Sequence, residues 1–162
     1  MPLKLRELFI RLLKSNSTTP EVADGLAIGV FIAFLPIIGI QMYVSLVLTR
    51  LFKKNSIVAI MAAWITNPFT AAPVYLFNLW VGNFIHKDST ELKEVYQMMK
   101  TLDLGDILAA GKDILIPLWI GSIIVGLVAA FISQRLCLRY YDRIKKKLYY
   151  LTHLKERSSF RS

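Results

Sequence analysis

Three long stretches without a charged side chain constrain this sequence most. No Asp, Glu, Lys or Arg occurs in residues 25–49, 56–85 or 114–134, which are 25, 30 and 21 residues long. About 20 consecutive apolar residues suffice for a helix to cross a bilayer. Because 55% of the residues are hydrophobic and the mean hydropathy is +0.49, the composition excludes a soluble enzyme and predicts an all-α integral membrane protein.

Two of the stretches contain helix breakers. A helix over residues 56–85 would be about 45 Å long, against a hydrocarbon core of about 30 Å. Asn67 and Pro68 interrupt it, because proline removes a backbone donor and disfavours helical geometry in the residue before it. Pro36 and Gly39 divide the first stretch in the same way. The sequence predicts broken or re-entrant helical segments, with pieces at residues 25–35, 40–51, 56–66 and 69–85.

The flanking sequences complete the predicted organisation. Leu5, Leu8, Phe9 and Leu12 recur at helical spacing, which predicts an interfacial amphipathic helix within residues 1–19. The membrane domain covers residues 20–134, and a basic tail helix covers residues 135–162. Within the membrane domain we expect the broken segments 25–51 and 56–85, an extracytoplasmic loop 86–113 and a transmembrane helix 114–134.

The basic residues predict the orientation in the membrane. Four Lys and Arg precede the first stretch, three lie in the gap after it, and nine follow the third stretch. Residues 86–113 carry four, mixed with six acidic residues. If the first segment is re-entrant and the other two cross, 16 of the 20 basic residues lie on one side; a re-entrant second segment gives 13. The positive-inside rule favours the first arrangement, with both termini cytoplasmic.

A stripe of small residues runs along the third stretch. Ser122, Gly126 and Ala130 recur every four residues, which lets another helix approach closely. The pattern predicts a packing seam, either within the chain or between protomers. Since three spans can hardly enclose a cavity, we expect a homo-oligomer, in the simplest case a dimer that seals the broken segments through this face.

The candidate ligand-binding residues lie at the two breaks. The amides of Gln41 and Asn67 can both donate and accept hydrogen bonds, and helices that start after each break direct positive dipole ends towards the same region. This chemistry suits an anion such as a phosphate headgroup. An alternative of equal weight is that both amides only satisfy carbonyls that proline leaves free. The full set of candidates is Pro36, Gly39, Gln41, Arg50, Lys53, Lys54, Thr66, Asn67, Pro68 and Thr70.

The sequence offers no catalytic constellation. No carboxylate lies inside an apolar stretch, the two histidines lie at a boundary and in the tail, and Cys137 is the single cysteine. A metal site would need three or four ligands with close pairs. We therefore expect no enzyme activity, cofactor, metal or nucleic-acid partner.

The two broken segments carry a resemblance to a known family. The sequences PEVADGLAIGVFIAFLPIIGIQ over residues 20–41 and WITNPFTAAPVY over residues 64–75, with Asn55 between them, resemble the bacterial membrane family known as domain of unknown function 2062. Some relatives are joined to glycosyltransferases that use polyprenyl phosphates. The resemblance implies a compact membrane fold and suggests lipid-linked sugar metabolism.

Three functional hypotheses follow. The first is a protein that binds an anionic, polyprenyl-phosphate-like lipid carrier and translocates it. The second is a membrane scaffold that docks a cytoplasmic glycosyltransferase through the basic tail. The third is a channel for a small polar solute.

Overall fold

The computed structural model describes residues 17–86 and 112–159, and these residues form five helices and no strand. The predicted all-α class is confirmed. The predicted amphipathic helix and extracytoplasmic loop lie largely outside the described residues. The helices are α1 (Thr19–Phe34), α2 (Gln41–Leu51), α3 (Ser56–Ala63), α4 (Ala71–His86) and α5 (Lys112–Ser159).

Local side chains fix where α1 and α3 begin. Thr18 and Glu21 form a capping box: the Thr18 hydroxyl accepts from the Glu21 backbone amide, and the Glu21 carboxylate accepts from the Thr18 amide. This reciprocal pairing satisfies amides that have no partner inside the helix. Asn55 caps α3, since its Oδ1 accepts from the Val58 amide at 3.0 Å.

Helices α1 and α3 run parallel and in backbone contact. A Cβ built on Gly25 would lie 2.4 Å from the Asn55 carbonyl oxygen, and one on Gly29 would lie 2.2 Å from that of Ala59. Both contacts advance by four residues in the same sense along the two helices. Only glycine permits so close an approach, as in other small-residue helix contacts of membrane proteins.

Helix α2 turns back and runs antiparallel to α3. Gln41, at its start, bonds to the carbonyl oxygens of Ala63, the last residue of α3, and of Thr66, which lies just beyond it. Thr49, near its end, bonds to Ser56, the first residue of α3. The chain therefore reverses at the first break, and α1 and α2 form a helical hairpin.

At the second break the chain does not reverse. Helix α4 is antiparallel to α5, because Asn78 lies against Ser122 while Gly82 lies against Pro117. Helix α1 is also antiparallel to α5, because Asp24 bonds to Gln134 while Phe31 and Phe34 lie against Gly126. Since α1 and α3 are parallel, α3 and α4 point the same way, and α5 returns to the starting end.

Helix α5 holds the fold together and packs against both α1 and α4. It is 48 residues long, about 72 Å. Among the described helices, its segment Ile114–Arg143 is the one long and apolar enough to cross a membrane.

Two glycines of α5 give a matched test of this packing. A Cβ on Gly121 would lie 1.7 Å from the Asn78 carbonyl oxygen, which is backbone and cannot move aside, whereas one on Gly126 would meet Phe31 and Phe34 at 3.2 to 3.3 Å. We expect Gly121→Ala to cost about 3 kcal/mol or to prevent folding, and Gly126→Ala to change stability by about 1 kcal/mol or less. Apparent melting temperatures in detergent measure both. Equal stability of the two variants would contradict the close α4–α5 contact.

Candidate functional site

Helix α2 has an inverted distribution of side chains. Its buried residues are Gln41, Ser45 and Thr49, one turn apart and all polar. Its opposite face carries Tyr43, Val47 and Leu51, which are 71%, 63% and 71% exposed. An amphipathic helix of a soluble protein shows the reverse pattern. We call the contact between α2 and the α3 segment the polar seam, and define it by Gln41, Ser45, Thr49 and Thr66.

The two breaks exchange hydrogen bonds. Gln41, just after the first break, donates its amide to the carbonyl oxygens of Ala63 (2.9 Å) and Thr66 at the second. Tyr75 and Asn78, after the second break, donate to the carbonyl oxygens of Leu35 (3.0 Å) and Phe34 (2.9 Å) at the first. The last carbonyls of a helix have no partner within it. Each break therefore supplies the donors that the other lacks.

Three oxygen atoms of the polar seam have no hydrogen-bond partner. They are Gln41 Oε1, Ser45 Oγ and Thr66 Oγ1, all fully enclosed, with Gln41 only 5% exposed as a residue. The Gln41 amide cannot be turned round to satisfy its oxygen, because its nitrogen already faces two carbonyls. Burying a polar atom without a partner costs about 1–3 kcal/mol. The closed seam is therefore under-satisfied on the side of α2.

The second break is satisfied largely by its own side chains. Asn67 Oδ1 accepts from the amides of Phe69 (2.9 Å) and Thr70 (3.3 Å). Thr70 Oγ1 accepts from the Asn67 amide at 3.0 Å and donates to the Ile65 carbonyl at 2.7 Å. Pro68 is exposed beside them. Asn67 and Thr70 thus use their side-chain oxygens in forming the turn.

At the first break, Pro36 is half-buried and Gly39 is exposed. The φ angle of Gly39 is +92°, a conformation that glycine adopts without strain, and no atom lies within 4 Å of a Cβ built there. The start of α2 has no side-chain cap. The first break is therefore the more open of the two.

The three basic candidates do not lie beside Gln41, which corrects their expected proximity to the breaks. Arg50 and Lys53 are exposed at the opposite end of α2, about 13 Å along the helix axis. Lys54 forms an ion pair with Asp24, with 2.6 Å between Nζ and Oδ2. The structure thus places exposed basic side chains at one end of the polar seam and Gln41 with Thr66 at the other.

Asp24 joins three elements at this basic end. It accepts from Lys54, which follows α2, and from Gln134 of α5 at 2.6 Å. Burial raises the pKa of Asp24, but the hydrogen bonds from Lys54 and Gln134 and the charge of Lys54 outweigh that effect and hold the pKa below its ordinary value. The carboxylate therefore stays ionised and fixes the α2–α3 turn to α1 and α5.

The small-residue stripe is used within the chain. Ser122 accepts from Asn78 at 3.0 Å, and Gly126 lies against Phe31 and Phe34. Ser122 is fully buried and Ala130 is 8% exposed. Of the two seams that the sequence allowed, the structure shows the internal one. A dimer through this face, as the sequence suggested, would have to displace α1 and α4. The homo-oligomer itself stays a prediction.

Several residues of this region were not identified from the sequence as part of the site. Ser45 and Thr49 follow Gln41 at intervals of four, opposite Tyr43, Val47 and Leu51, so the inverted face could have been recognised by its spacing. Tyr75 and Asn78 gave a weaker signal, because a polar group in an apolar stretch does not reveal its partner. Their partners, the carbonyls of Leu35 and Phe34, are some 40 residues away in sequence.

The described residues define a class of protein: they are all-helical, with one candidate membrane-spanning helix and two interrupted segments whose side chains bond to each other's backbone carbonyls. The profile of the bacterial family DUF2062, described as uncharacterized proteins conserved in bacteria, matches residues 3–148. Since the match covers most of the chain, the protein belongs to this family, and the resemblance of its two broken segments is confirmed. Comparisons with curated proteins and with solved structures find no match.

The bonds between the breaks can be tested at Gln41. Gln41→Met keeps the size of the side chain but leaves the carbonyls of Ala63 and Thr66 without their donor, which costs about 2–6 kcal/mol at roughly 1–3 kcal/mol for each buried group. It also removes the partnerless Gln41 Oε1, which returns about 1–3 kcal/mol, so we expect a net loss of about 1–3 kcal/mol. Tyr43→Phe on the exposed face of α2 is the control and should change stability by less than about 0.5 kcal/mol. Melting curves in detergent distinguish them. Similar curves for the two variants would show that the breaks do not depend on Gln41.

Lowering the pH tests the interactions of Asp24 with Lys54 and Gln134. Because the pKa of the folded state is lowered, the stabilisation is complete above the pKa of the unfolded chain, about 3.9, and is lost as the pH falls through the lower folded value. We therefore expect the melting temperature to decrease when the pH is lowered below about 4. Asp24→Asn should melt earlier at pH 7 and lose less stability in acid. An unchanged acid slope in this variant would assign the effect to other groups.

Proposed function

We propose that this chain is a multi-pass integral membrane protein that binds and translocates an anionic lipid of the polyprenyl phosphate type. The observation that carries the proposal is α2, which buries Gln41, Ser45 and Thr49 and exposes Tyr43, Val47 and Leu51. In water this arrangement would be unfavourable on both faces. Beside lipid tails the apolar face is well solvated, and the polar face gains by turning inward.

The exposed surface of the other helices supports a bilayer setting. Only 39% of the most apolar 18-residue segment of α5 is buried, whereas the core helix of a soluble protein is mostly buried. The exposed side chains include large aromatic residues on α4 and α5. They are Phe77, Trp80, Phe84, Trp119 and Phe131.

The chain direction supports the topology with a re-entrant first segment. Helices α1 and α2 form a hairpin, α3 and α4 continue in one direction, and α5 returns. Arg50, Lys53 and Lys54 therefore share one end of the molecule with Arg135, Arg139 and Arg143. By the positive-inside rule this end is cytoplasmic, and both termini lie on that side of the bacterial inner membrane.

The polar seam supports an anionic lipid as the ligand. Exposed Arg50 and Lys53 lie at its basic end and can attract a phosphate. The seam itself is lined by uncharged hydroxyl and amide groups, which can bond a headgroup without fixing it by a full charge. The apolar face of α2 would meanwhile stay in contact with lipid tails. We infer a binding and transport role without catalysis.

The scaffold hypothesis has its own supporting observation. Helix α5 continues for 16 residues beyond Arg143, to Ser159, which adds about 24 Å of basic helix. Such a helix could dock a cytoplasmic glycosyltransferase. Removal of residues 144–162 would then abolish function, while changes in the polar seam would not. The solute-channel hypothesis has no comparable support in the described residues.

Native mass spectrometry with equal amounts of undecaprenyl phosphate, phosphatidylglycerol and phosphatidylcholine tests the proposal. We expect preferential retention of the polyprenyl phosphate, reduced at least fivefold in Arg50→Gln/Lys53→Gln because the phosphate loses its attracting charges. Arg139→Gln/Arg143→Gln removes the same charge from α5 and serves as the control. Flip of a fluorescent polyprenyl phosphate in proteoliposomes then tests transport. Equal retention of all three lipids would contradict the lipid proposal, whereas a co-purified glycosyltransferase without lipid would favour the scaffold.

A further inference from the structure

We propose that α2 is the moving element of a lateral gate, and that the polar seam between α2 and α3 is the path by which a lipid headgroup enters the protein. The inference rests on the proposed function, since it locates the headgroup within the same protein. It assigns the movement to α2 and the entry of the headgroup to the polar seam. Helices α1, α3, α4 and α5 then act as the fixed frame.

The two ends of α2 are conformationally distinct from the rest of the described chain. Within residues 17–86 and 112–159, Gly39 (φ +92°) and Lys53 (φ +54°) are the two residues with positive φ, and they flank α2 on either side. Lys53 ends α2 in the left-handed conformation of a Schellman cap, in which the Lys53 and Lys54 amides bond to the carbonyls of Arg50 (3.2 Å) and Thr49 (2.7 Å). A helix that moves as a unit needs turns at its ends that absorb the change in backbone angles. Gly39 has free space to do so.

The seam that α2 would leave is weakly held. On the α2 side it contains no buried apolar residue, because the buried residues of α2 are Gln41, Ser45 and Thr49. Gln41 Oε1, Ser45 Oγ and Thr66 Oγ1 are enclosed without a partner. Opening would give these atoms hydrogen-bond partners, which offsets the loss of the bonds that Gln41 and Thr49 make across the seam.

The neighbouring seam shows the opposite design. Helices α1 and α3 are in backbone contact through Gly25 and Gly29, and buried Val22, Ala59 and Ala63 lie on these helices. Separating them would expose apolar surface and gain no hydrogen bond. Motion of α2 away from a stationary α1–α3 pair is therefore the least costly way to open the hairpin.

The lining of the opened seam defines the ligand. Gln41 Oε1 requires a donor, and the Ser45 and Thr66 hydroxyls can donate or accept. A headgroup that carries both hydroxyl donors and phosphoryl acceptors satisfies all three. Arg50 and Lys53 at the basic end attract the phosphate, and the apolar outer face of α2 keeps the acyl or prenyl chain in the bilayer. The geometry thus suits lateral entry of a phospholipid or of a polyprenyl phosphate sugar.

A disulfide across the seam tests whether α2 must move. The hydroxyl oxygens of Thr49 and Ser56 are 2.9 Å apart, so Thr49→Cys/Ser56→Cys, in a Cys137→Ser background, should cross-link the basic end. In proteoliposomes we expect the oxidised variant to flip fluorescent phosphatidylglycerol and polyprenyl phosphate at least tenfold more slowly than the reduced one. The Cys137→Ser parent, insensitive to oxidant, is the control. Equal rates when cross-linked and reduced would overturn the gate but leave the lipid proposal intact, and no flip in either state would contradict transport.

Chemical labelling tests the opening without transport. Ser45 and Ser122 are both fully buried, but Ser45 lies in the seam while Ser122 is bonded to Asn78 in the α4–α5 contact. In the same Cys137→Ser background, we expect Ser45→Cys to react with a membrane-impermeant thiol reagent at least tenfold faster than Ser122→Cys. The assay uses vesicles of phosphatidylglycerol and phosphatidylethanolamine. Equal, slow labelling of both cysteines would show that the seam stays closed and would overturn the inference.

Discussion

The rest of this structure depends on the exchange of hydrogen bonds between its two breaks. A helix that ends inside an apolar environment leaves carbonyl oxygens without donors, and lipid cannot supply them. Here Gln41 donates hydrogen bonds to carbonyl oxygens at the second break, while Tyr75 and Asn78 donate to carbonyl oxygens at the first. Neither interruption would be tolerable alone. The exchange fixes the depth at which α1 ends relative to α3 and α4, and so sets the positions of all four short helices.

A second consequence concerns the polarity of the interior. Since the breaks are joined by polar groups, the hairpin that contains them has a polar inner face, and α2 turns its apolar residues outward. The remaining cohesion comes from close backbone contacts at glycines, which hold α1 to α3 and α4 to α5. The close approach at these contacts gives dispersion attraction and complementary shape, which small residues permit. The polar seam lacks such contacts on its α2 side, and this difference marks it as the part of the fold suited to change.

The basic end is coupled to this seam through Asp24. The Asp24 carboxylate forms an ion pair with Lys54 of the α2–α3 turn and accepts a hydrogen bond from Gln134 of α5. It therefore connects the hairpin to the long helix. Arg50 and Lys53 are left exposed beside it. Of the three basic residues at the end of α2, Lys54 therefore has a structural role, while Arg50 and Lys53 face the surroundings.

The sequence by itself determined that the chain is helical, where its helices are interrupted, and which family it belongs to. These properties follow from proline, glycine and the absence of charge over long stretches, all of which act locally on the backbone. It also contained the polar spacing of Gln41, Ser45 and Thr49. The distribution of basic residues favoured a first segment that turns back, and the chain does reverse there. Only the tertiary structure decided that Ser122 and Gly126 face this chain's own helices, and that Arg50 lies far from Gln41. Those outcomes depend on which carbonyl meets which donor across some 20 to 40 residues of sequence, and local propensity carries no information about such pairings.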